Sequence, residues 1–215
     1  MILLTEPAAG RILAALDQGA ATVQASLDLG LTRAELPLEP GRVRLPDGQT
    51  LTTAALREVV GAPESVFTVM EDEPEKVTWF SPETGKVYTL RATDGWPALE
   101  ISGILMHRIK DTDPRADPTS KIAAIGPVRG RVLETCCGLG YSAIHAAETA
   151  SRVTVFEVDP NVLDMARLNP YSAPLFDPNG PIEVRNADIA EAIGDLPDTT
   201  FDFVVHDPPT LAVAG

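Results

Sequence analysis

The sequence predicts an α/β chain: a parallel sheet in the last hundred residues, preceded by a small β-rich region. Three observations predict it. Short apolar or β-branched segments at Arg131–Thr135, Arg152–Glu157, Ile182–Arg185 and Phe201–Val205 alternate with helix-like segments at Tyr141–Thr149, Asn161–Leu168 and Ile189–Ile193. That alternation is the order of a parallel sheet with right-handed crossovers. Upstream, two-residue alternation broken by turn tripeptides replaces it. Finally, 215 residues with 44% hydrophobic and 22% charged side chains form a globular composition, long enough for one large domain or two small ones. The division falls at 1–115 for the β-rich part and 116–215 for the α/β part.

Taken in order, Pro7–Gln18 has helical spacing of Ile12, Leu13 and Leu16 and stops near Gly19. Ala21–Leu27 and Thr32–Leu38 alternate as strands do, and Arg42–Leu45 leads into Pro46-Asp47-Gly48, a hairpin tip. Leu51–Val60 reads as a short helix. Ser65–Met70, Lys76–Ser81 and Lys86–Arg91 read as strands, the last two joined by the turn Pro82-Glu83-Thr84-Gly85. The aromatics Phe67, Trp79, Phe80 and Tyr88 are expected in the core and in cross-strand pairs. The acid run Glu71-Asp72-Glu73 with Glu75 is expected in a solvated loop, Ala98–Met106 in β structure, and Asp111–Ser120 in a linker.

Asp plus Glu number 31 against 17 Lys plus Arg, a net charge of −14. The excess is spread out: residues 1–115 hold 17 acids and 11 bases, residues 116–215 hold 14 and 6. Such a balance repels phosphate backbones and does not favour nucleic acid as a partner. It fits a solvated acidic surface or a preference for a cationic ligand. Cys136 and Cys137 are adjacent, a spacing that suits neither a disulfide framework nor a metal clip, so no metal is expected. Met1-Ile-Leu-Leu runs at once into Thr5-Glu6-Pro7, without the basic start and long apolar stretch of a signal peptide, and no apolar run approaches a membrane span. The expectation is a soluble, cytoplasmic protein.

The chemistry-bearing residues cluster where strands end. Val132-Leu133-Glu134-Thr135-Cys136-Cys137-Gly138-Leu139-Gly140 ends a strand in an acid, crosses a glycine loop and opens a helix, which brings backbone N–H groups close to a ligand. Gly138-x-Gly140-x-x-Ala143 also matches a dinucleotide fingerprint, with Glu157 at the end of the next strand able to bond ribose hydroxyls. A short glycine pair after an apolar run is also found in plain turns. Glu134 offers nothing to a pyrophosphate but stabilises a cation, which disfavours a nicotinamide dinucleotide. Asp188, after the third strand, suits an exocyclic amine such as adenine N6, or the N-cap of the next helix, or both. His206-Asp207-Pro208-Pro209 ends the fourth strand, its prolines extended and without N–H groups.

These residues together resemble the first half of a class I S-adenosylmethionine-dependent methyltransferase, a Rossmann-like fold. Four motifs stand in the family's order: Glu134 with Gly138 and Gly140, Glu157 before Asp159-Pro160, Ala187-Asp188, and Asp207-Pro208-Pro209. The likeness extends to a group of archaeal and bacterial proteins of that family with a β-rich N-terminal region. Met106-His107-Arg108, Cys137-Gly138-Leu139-Gly140-Tyr141 and Leu168-Asn169-Pro170-Tyr171-Ser172 match that group's segments. The resemblance implies S-adenosyl-L-methionine as cofactor. It implies that the loop from Glu134 through Cys136 and Gly138 to Gly140 holds the methionine end, that Glu157 takes the ribose hydroxyls, and that Val158 and Asp188 meet the adenine. Asp207 and the Pro208 carbonyl would accept bonds from an amino nucleophile, as the catalytic pair. Little proton chemistry is then required, because catalysis is largely positioning and desolvation. Two positions depart from the pattern. Cys136 stands where the wider family often has Gly, and Thr210 stands where amine methyltransferases commonly place an aromatic, which weakens a planar nucleobase as acceptor.

His145 is expected to pack on a helix, His206 to be a satisfied sheet histidine or a base, and His107 to help cover the site. Two further functions compete with methyl transfer to an amino or other nucleophilic group: aminopropyl transfer of the polyamine-synthase type, suited to the −14 charge, and a binding or scaffold protein without turnover. The chain stops soon after its fourth strand, whereas the family's sheet has seven. The domain is therefore expected to be incomplete, with the fourth strand at an apolar edge and the chain continuing beyond Gly215 or joined by a partner.

Overall fold

Pro7 lacks an N–H and so loses nothing in the first turn of α1 (Glu6–Asp17), which buries Ala9 and Ile12. The computed structural model describes residues 1–209. After α1, β1 (Thr22–Ala25), β2 (Ala34–Glu39), β3 (Arg42–Arg44) and β4 (Thr50–Thr52) form an antiparallel sheet in chain order. Pro46-Asp47-Gly48 makes the tip between β3 and β4, where the Leu45 N–H donates to the Gln49 carbonyl at 2.8 Å. The Thr52 hydroxyl caps α2 (Thr53–Val60) by accepting the Ala55 N–H at 3.2 Å. Leu4, Ile12, Leu36, Val43, Leu51, Leu56, Val59 and Phe67 form one buried core.

The acid run is not a plain loop. β5 (Phe67–Met70) pairs antiparallel with β6 (Glu73–Lys76), Met70 opposite Glu73, so Glu71 and Asp72 form a two-residue turn. Both have positive φ, 53° and 67°, the twist that tight hairpins select. Asp72 anchors the turn by accepting the Thr50 N–H at 2.6 Å. Next, β7 (Thr78–Ser81), β8 (Lys86–Arg91), β9 (Ala98–Ile101) and β10 (Ile104–Leu105) form a sheet in the order β10-β9-β8-β7. Tyr88, like Phe67, is fully buried, but Phe80 is 59% exposed and not a core residue. It lies on the outward face of β7, beside the inward Ser81.

The expected linker is half helix. Residues 116–120 open α3 (Ala116–Ile125). Pro118 sits in its first turn, where no helical hydrogen bond needs a proline N–H. The Asp113 carboxylate accepts the Arg115 and Ala116 N–H groups, each at 2.8 Å, and serves as the cap.

The remaining elements are β11 (Arg131–Glu134), α4 (Tyr141–Ala147), β12 (Arg152–Glu157), α5 (Pro160–Leu168), a 3-10 helix (Pro170–Phe176), β13 (Ile182–Asn186), α6 (Ile189–Ala192) and β14 (Phe203–Val205). The four strands are parallel, in the order β13-β12-β11-β14. Val132, Val153, Val155 and Phe156 are fully buried, as expected of a sheet covered on both faces. Glu134 is in register with Val155 on one side and Val205 on the other, so the C-terminal ends of the central strands open at one edge. Among the described residues β14 is an edge strand, with Val204 60% exposed. No described helix is long and apolar enough to cross a membrane.

The chain divides into two units. The first is Met1–Trp79 with Leu90–Pro97, and the second is Phe80–Thr89 with the chain from Ala98 onward. The tip of the β7–β8 hairpin thus belongs to the same unit as the parallel sheet.

Candidate functional site

The glycine loop follows β11 and is fastened to its neighbours by backbone bonds. The Cys137 N–H donates to the Phe156 carbonyl at 3.0 Å, and the Gly140 N–H to the Cys137 carbonyl at 2.8 Å. Gly138 and Gly140 have φ of +54° and +77°, where glycine is favoured. A β-carbon on Gly140 would run into the Leu175 side chain, whereas one on Gly138 would meet nothing nearer than His107 Nε2 at 4.0 Å. Beneath the loop lies a buried polar network. Asn169 Nδ2 donates to the Tyr141 hydroxyl (2.8 Å) and to Ser172 Oγ (2.7 Å), and Ser172 Oγ donates to the Leu139 carbonyl (2.7 Å). The Leu168–Ser172 segment therefore acts as the loop's support, its polar groups paired with one another.

Four acids stand at the strand ends. Glu134 is buried, with 1% exposure. Its Oε1 accepts the Ser142 hydroxyl at 2.5 Å, and its Oε2 has no partner among the described residues. Burial pushes its carboxyl up to about 8, with the nearby Asp207 and Glu157 charges adding to the rise and Ser142 opposing it. Glu157 accepts the Gly138 N–H on Oε2 and the Asp159 N–H on Oε1, both at 3.1 Å. Burial raises its pKa, although those backbone bonds work the other way. Each of its oxygens keeps a second lone pair for a ligand. Val158, next in the chain, is 63% exposed, and Asn186 Nδ2 ties its carbonyl (3.2 Å) and that of Glu157 (2.7 Å) to the end of β13. Asp188 caps α6 by accepting the Ala190 N–H at 2.7 Å, which realises one of its two expected roles and leaves its other oxygen exposed.

Asp207 carries an ion pair that sequence reasoning missed: Lys121 Nζ of α3 lies 2.5 Å from Asp207 Oδ2 and 2.9 Å from Asp117 Oδ2. Burial disfavours the Lys121 ammonium, but the bonds to both acids outweigh that and raise its pKa. Pro208 follows, exposed. Thr210 lies outside the described residues.

Cys136 is not among the described residues with positive φ, so its side chain stands there without backbone strain. Burial raises the pKa of both thiols, Cys137 well above the usual range. That disfavours the reactive thiolate in both, and Cys137, which is buried, packs as a small hydrophobe. His145 is buried, with Nε2 2.7 Å from Thr119 Oγ1 and Nδ1 3.2 Å from Glu148 Oε1. His206 Nδ1 is 2.7 Å from Thr135 Oγ1, the satisfied arrangement. His107 does cover the loop. Its ring lies 5.1 Å from that of Tyr141, and its Nδ1 accepts the Leu99 N–H at 3.2 Å. Burial lowers it to about 4, so it is neutral at pH 7.

The structure thus gathers Glu134, the glycine loop, Glu157 and Asp207 at one sheet edge and sets Val158 and Asp188 beside Glu157. Lys121, Asn169, Ser172 and the Tyr88–Asp159 pair were missed as site residues. Only the Leu168–Ser172 segment carried a signal, through its match to a family segment.

Comparison with known proteins bears on the parallel-sheet region. Residues 133–207 match a family model described as a methyltransferase domain. An uncharacterized protein of Methanocaldococcus jannaschii is 44% identical over 120 residues, which cover 55% of this chain and 41% of that protein. The chain therefore spans less than half of that relative's length. Among solved structures, spermidine synthase from Thermotoga maritima is 18% identical, with 61% of this chain and 46% of that chain covered at a TM-score of 0.48. An RNA methyltransferase (so described, as a candidate) from Pyrococcus horikoshii is 23% identical, with 43% of each chain covered at a TM-score of 0.32.

Proposed function

We propose that the protein moves a methyl group from S-adenosylmethionine to an amino or other nucleophilic acceptor, a reading supported by the match of residues 133–207 to a family model described as a methyltransferase domain. The observation that carries this reading is the buried Oε2 of Glu134 beside the glycine loop, which has no partner among the described residues. A buried carboxyl oxygen without a partner is costly, and the ammonium of a methionine moiety would both supply a donor and favour the ionised form. The residues fit the cofactor in its other parts too. Glu157 keeps acceptor capacity for two ribose hydroxyls, exposed Val158 offers an apolar contact to the adenine face, and Asp188 has an oxygen free of its cap.

When bound, the cofactor supplies an activated methyl on a sulfonium, already a good leaving group. The protein's own work is placement. Glu134 and the backbone from Cys136 to Gly140 would hold the methionine end, and Glu157, Val158 and Asp188 the adenosine. Asp207 and the Pro208 carbonyl accept bonds from the acceptor's nucleophile and aim its lone pair. The prolines keep that stretch extended and present carbonyls without competing N–H groups. The Lys121 ammonium on Asp207 supports the assignment, because an alkylamine is a donor that this carboxylate already takes.

Thermal melting with S-adenosylhomocysteine tests the proposal. The melting temperature is expected to rise, and Asp188→Asn, which preserves the helix cap while losing the charge, is expected to reduce the rise. No change at millimolar ligand would overturn the reading. Supplying intact and decarboxylated S-adenosylmethionine to cell extract then separates methyl from aminopropyl transfer by the group that appears on the acceptor.

A further inference from the structure

We infer that Tyr88, in the β7–β8 hairpin, is a positioning residue for the ribose end of the cofactor site, acting on Glu157 through Asp159. The inference rests on the methyltransferase reading above.

The chain of bonds is continuous. Tyr88 is fully buried, and its hydroxyl lies 2.5 Å from Asp159 Oδ2 and 2.9 Å from Thr84 Oγ1. A phenol has one proton and an ionised carboxylate only accepts, so the proton goes to Asp159 and the Thr84 hydroxyl donates to Tyr88. Burial and the neighbouring Asp159 charge push the tyrosine up to about 12, so it remains a donor at any working pH. The other oxygen of Asp159 accepts the Asn161 N–H at 2.9 Å and so starts α5. Asn161 Nδ2 in turn reaches Ser81 Oγ at 3.4 Å, on the other strand of the hairpin.

Asp159 is thus held from the hairpin on one side and by its own helix on the other. Its backbone N–H is one of the groups that fix the Glu157 carboxylate, the Gly138 N–H being another. Removing the Tyr88 hydroxyl takes away one of the hairpin's ties to the turn at 158–160, and so loosens the backbone whose Asp159 N–H sets Glu157. The effect should therefore fall on contacts that Glu157 makes, the ribose hydroxyls, and not on the methionine end held by Glu134. This gives the hairpin tip, which comes from the β-rich stretch of the sequence, a purpose in the binding site.

Calorimetric titration of wild type and Tyr88→Phe with S-adenosylhomocysteine and with its 2′-deoxyribose analogue tests this. Wild type should prefer the complete ribose by roughly tenfold, the scale of one hydrogen bond to a charged group. In Tyr88→Phe the preference should shrink to about twofold or less, mainly through weaker binding of the complete ligand. Thr84→Val, a milder change that leaves the tyrosine in place, should shift the preference in the same direction. A Tyr88→Phe protein that melts lower but keeps the wild-type preference would reduce Tyr88 to a structural residue and overturn the inference. Failure of wild type to bind either ligand would instead overturn the methyltransferase reading, and this inference with it.

Discussion

Gly140→Ala is expected to destabilise the second unit by about 2–5 kcal/mol and to abolish the melting shift caused by S-adenosylhomocysteine. Two costs combine. A side chain at φ +77° costs about 1–2 kcal/mol, and forcing a β-carbon against Leu175 adds about 1–3 kcal/mol of overpacking. Leu175 has little room to yield, because its 3-10 helix is fastened through Ser172 to the Leu139 carbonyl. Gly138→Ala is the control. It shares the positive φ, at +54°, but its β-carbon meets nothing nearer than 4.0 Å. It should therefore cost only about 1–2 kcal/mol. Chemical denaturation of both variants decides the matter: equal losses would show that the contact with Leu175 contributes nothing.

The second large effect concerns pH. Glu134 has a folded-state pKa of about 8 against an ordinary 4.5. The folded chain therefore binds this proton more tightly than the unfolded chain does. Such a raised acid contributes stability that is fully present below about pH 4.5 and is lost as pH climbs through about 8. Relative to Glu134→Gln, which imitates the neutral carboxyl at every pH, the wild type should lose stability across that window. The slope should approach, at its steepest, about 1.4 kcal/mol per pH unit. Above pH 8 the glutamine variant should be the more stable protein, and in acid the difference should level off. Urea denaturation of the pair from pH 4 to 9 reads this directly, and a difference independent of pH would mean that Glu134 is already ionised in the folded chain. A saturating cationic ligand should flatten the slope, because it favours the ionised carboxylate.

The parallel sheet was legible because its strands are short apolar runs ended by acids, glycines or Asp-Pro pairs, each a local signal. β12 coincides with its expected range, Arg152–Glu157. β6 was not legible, because Glu73-Pro74-Glu75-Lys76 has neither alternation of hydrophobics nor β-branched residues, and the tight turn at Glu71-Asp72 holds it in place. The start of α3 was hidden by Pro114 and Pro118, residues that break a helix in its middle and are harmless in its first turn. At the site, Glu134, Gly138, Gly140, Glu157 and Asp207 could be read because each belongs to a motif of a few residues. The Tyr88–Asp159 and Lys121–Asp207 pairs could not. They join residues 71 and 86 positions apart, and no local pattern records such a meeting.

The strand order also predicts a folding sequence. β11 finds β12 after a single helix and β12 finds β13 soon after. β14 is expected to return to β11 after both, because its reach is the longest: the Arg131 N–H is bonded to Asp202 across 71 residues. Closing the longer loop costs more chain entropy and is repaid later. The glycine loop with Glu134 and Glu157 is therefore expected to assemble before Asp207 arrives. Pulsed hydrogen exchange during refolding should show β11 and β12 amides protected ahead of those of β14. Simultaneous protection of all three would instead mark the sheet as a single cooperative step.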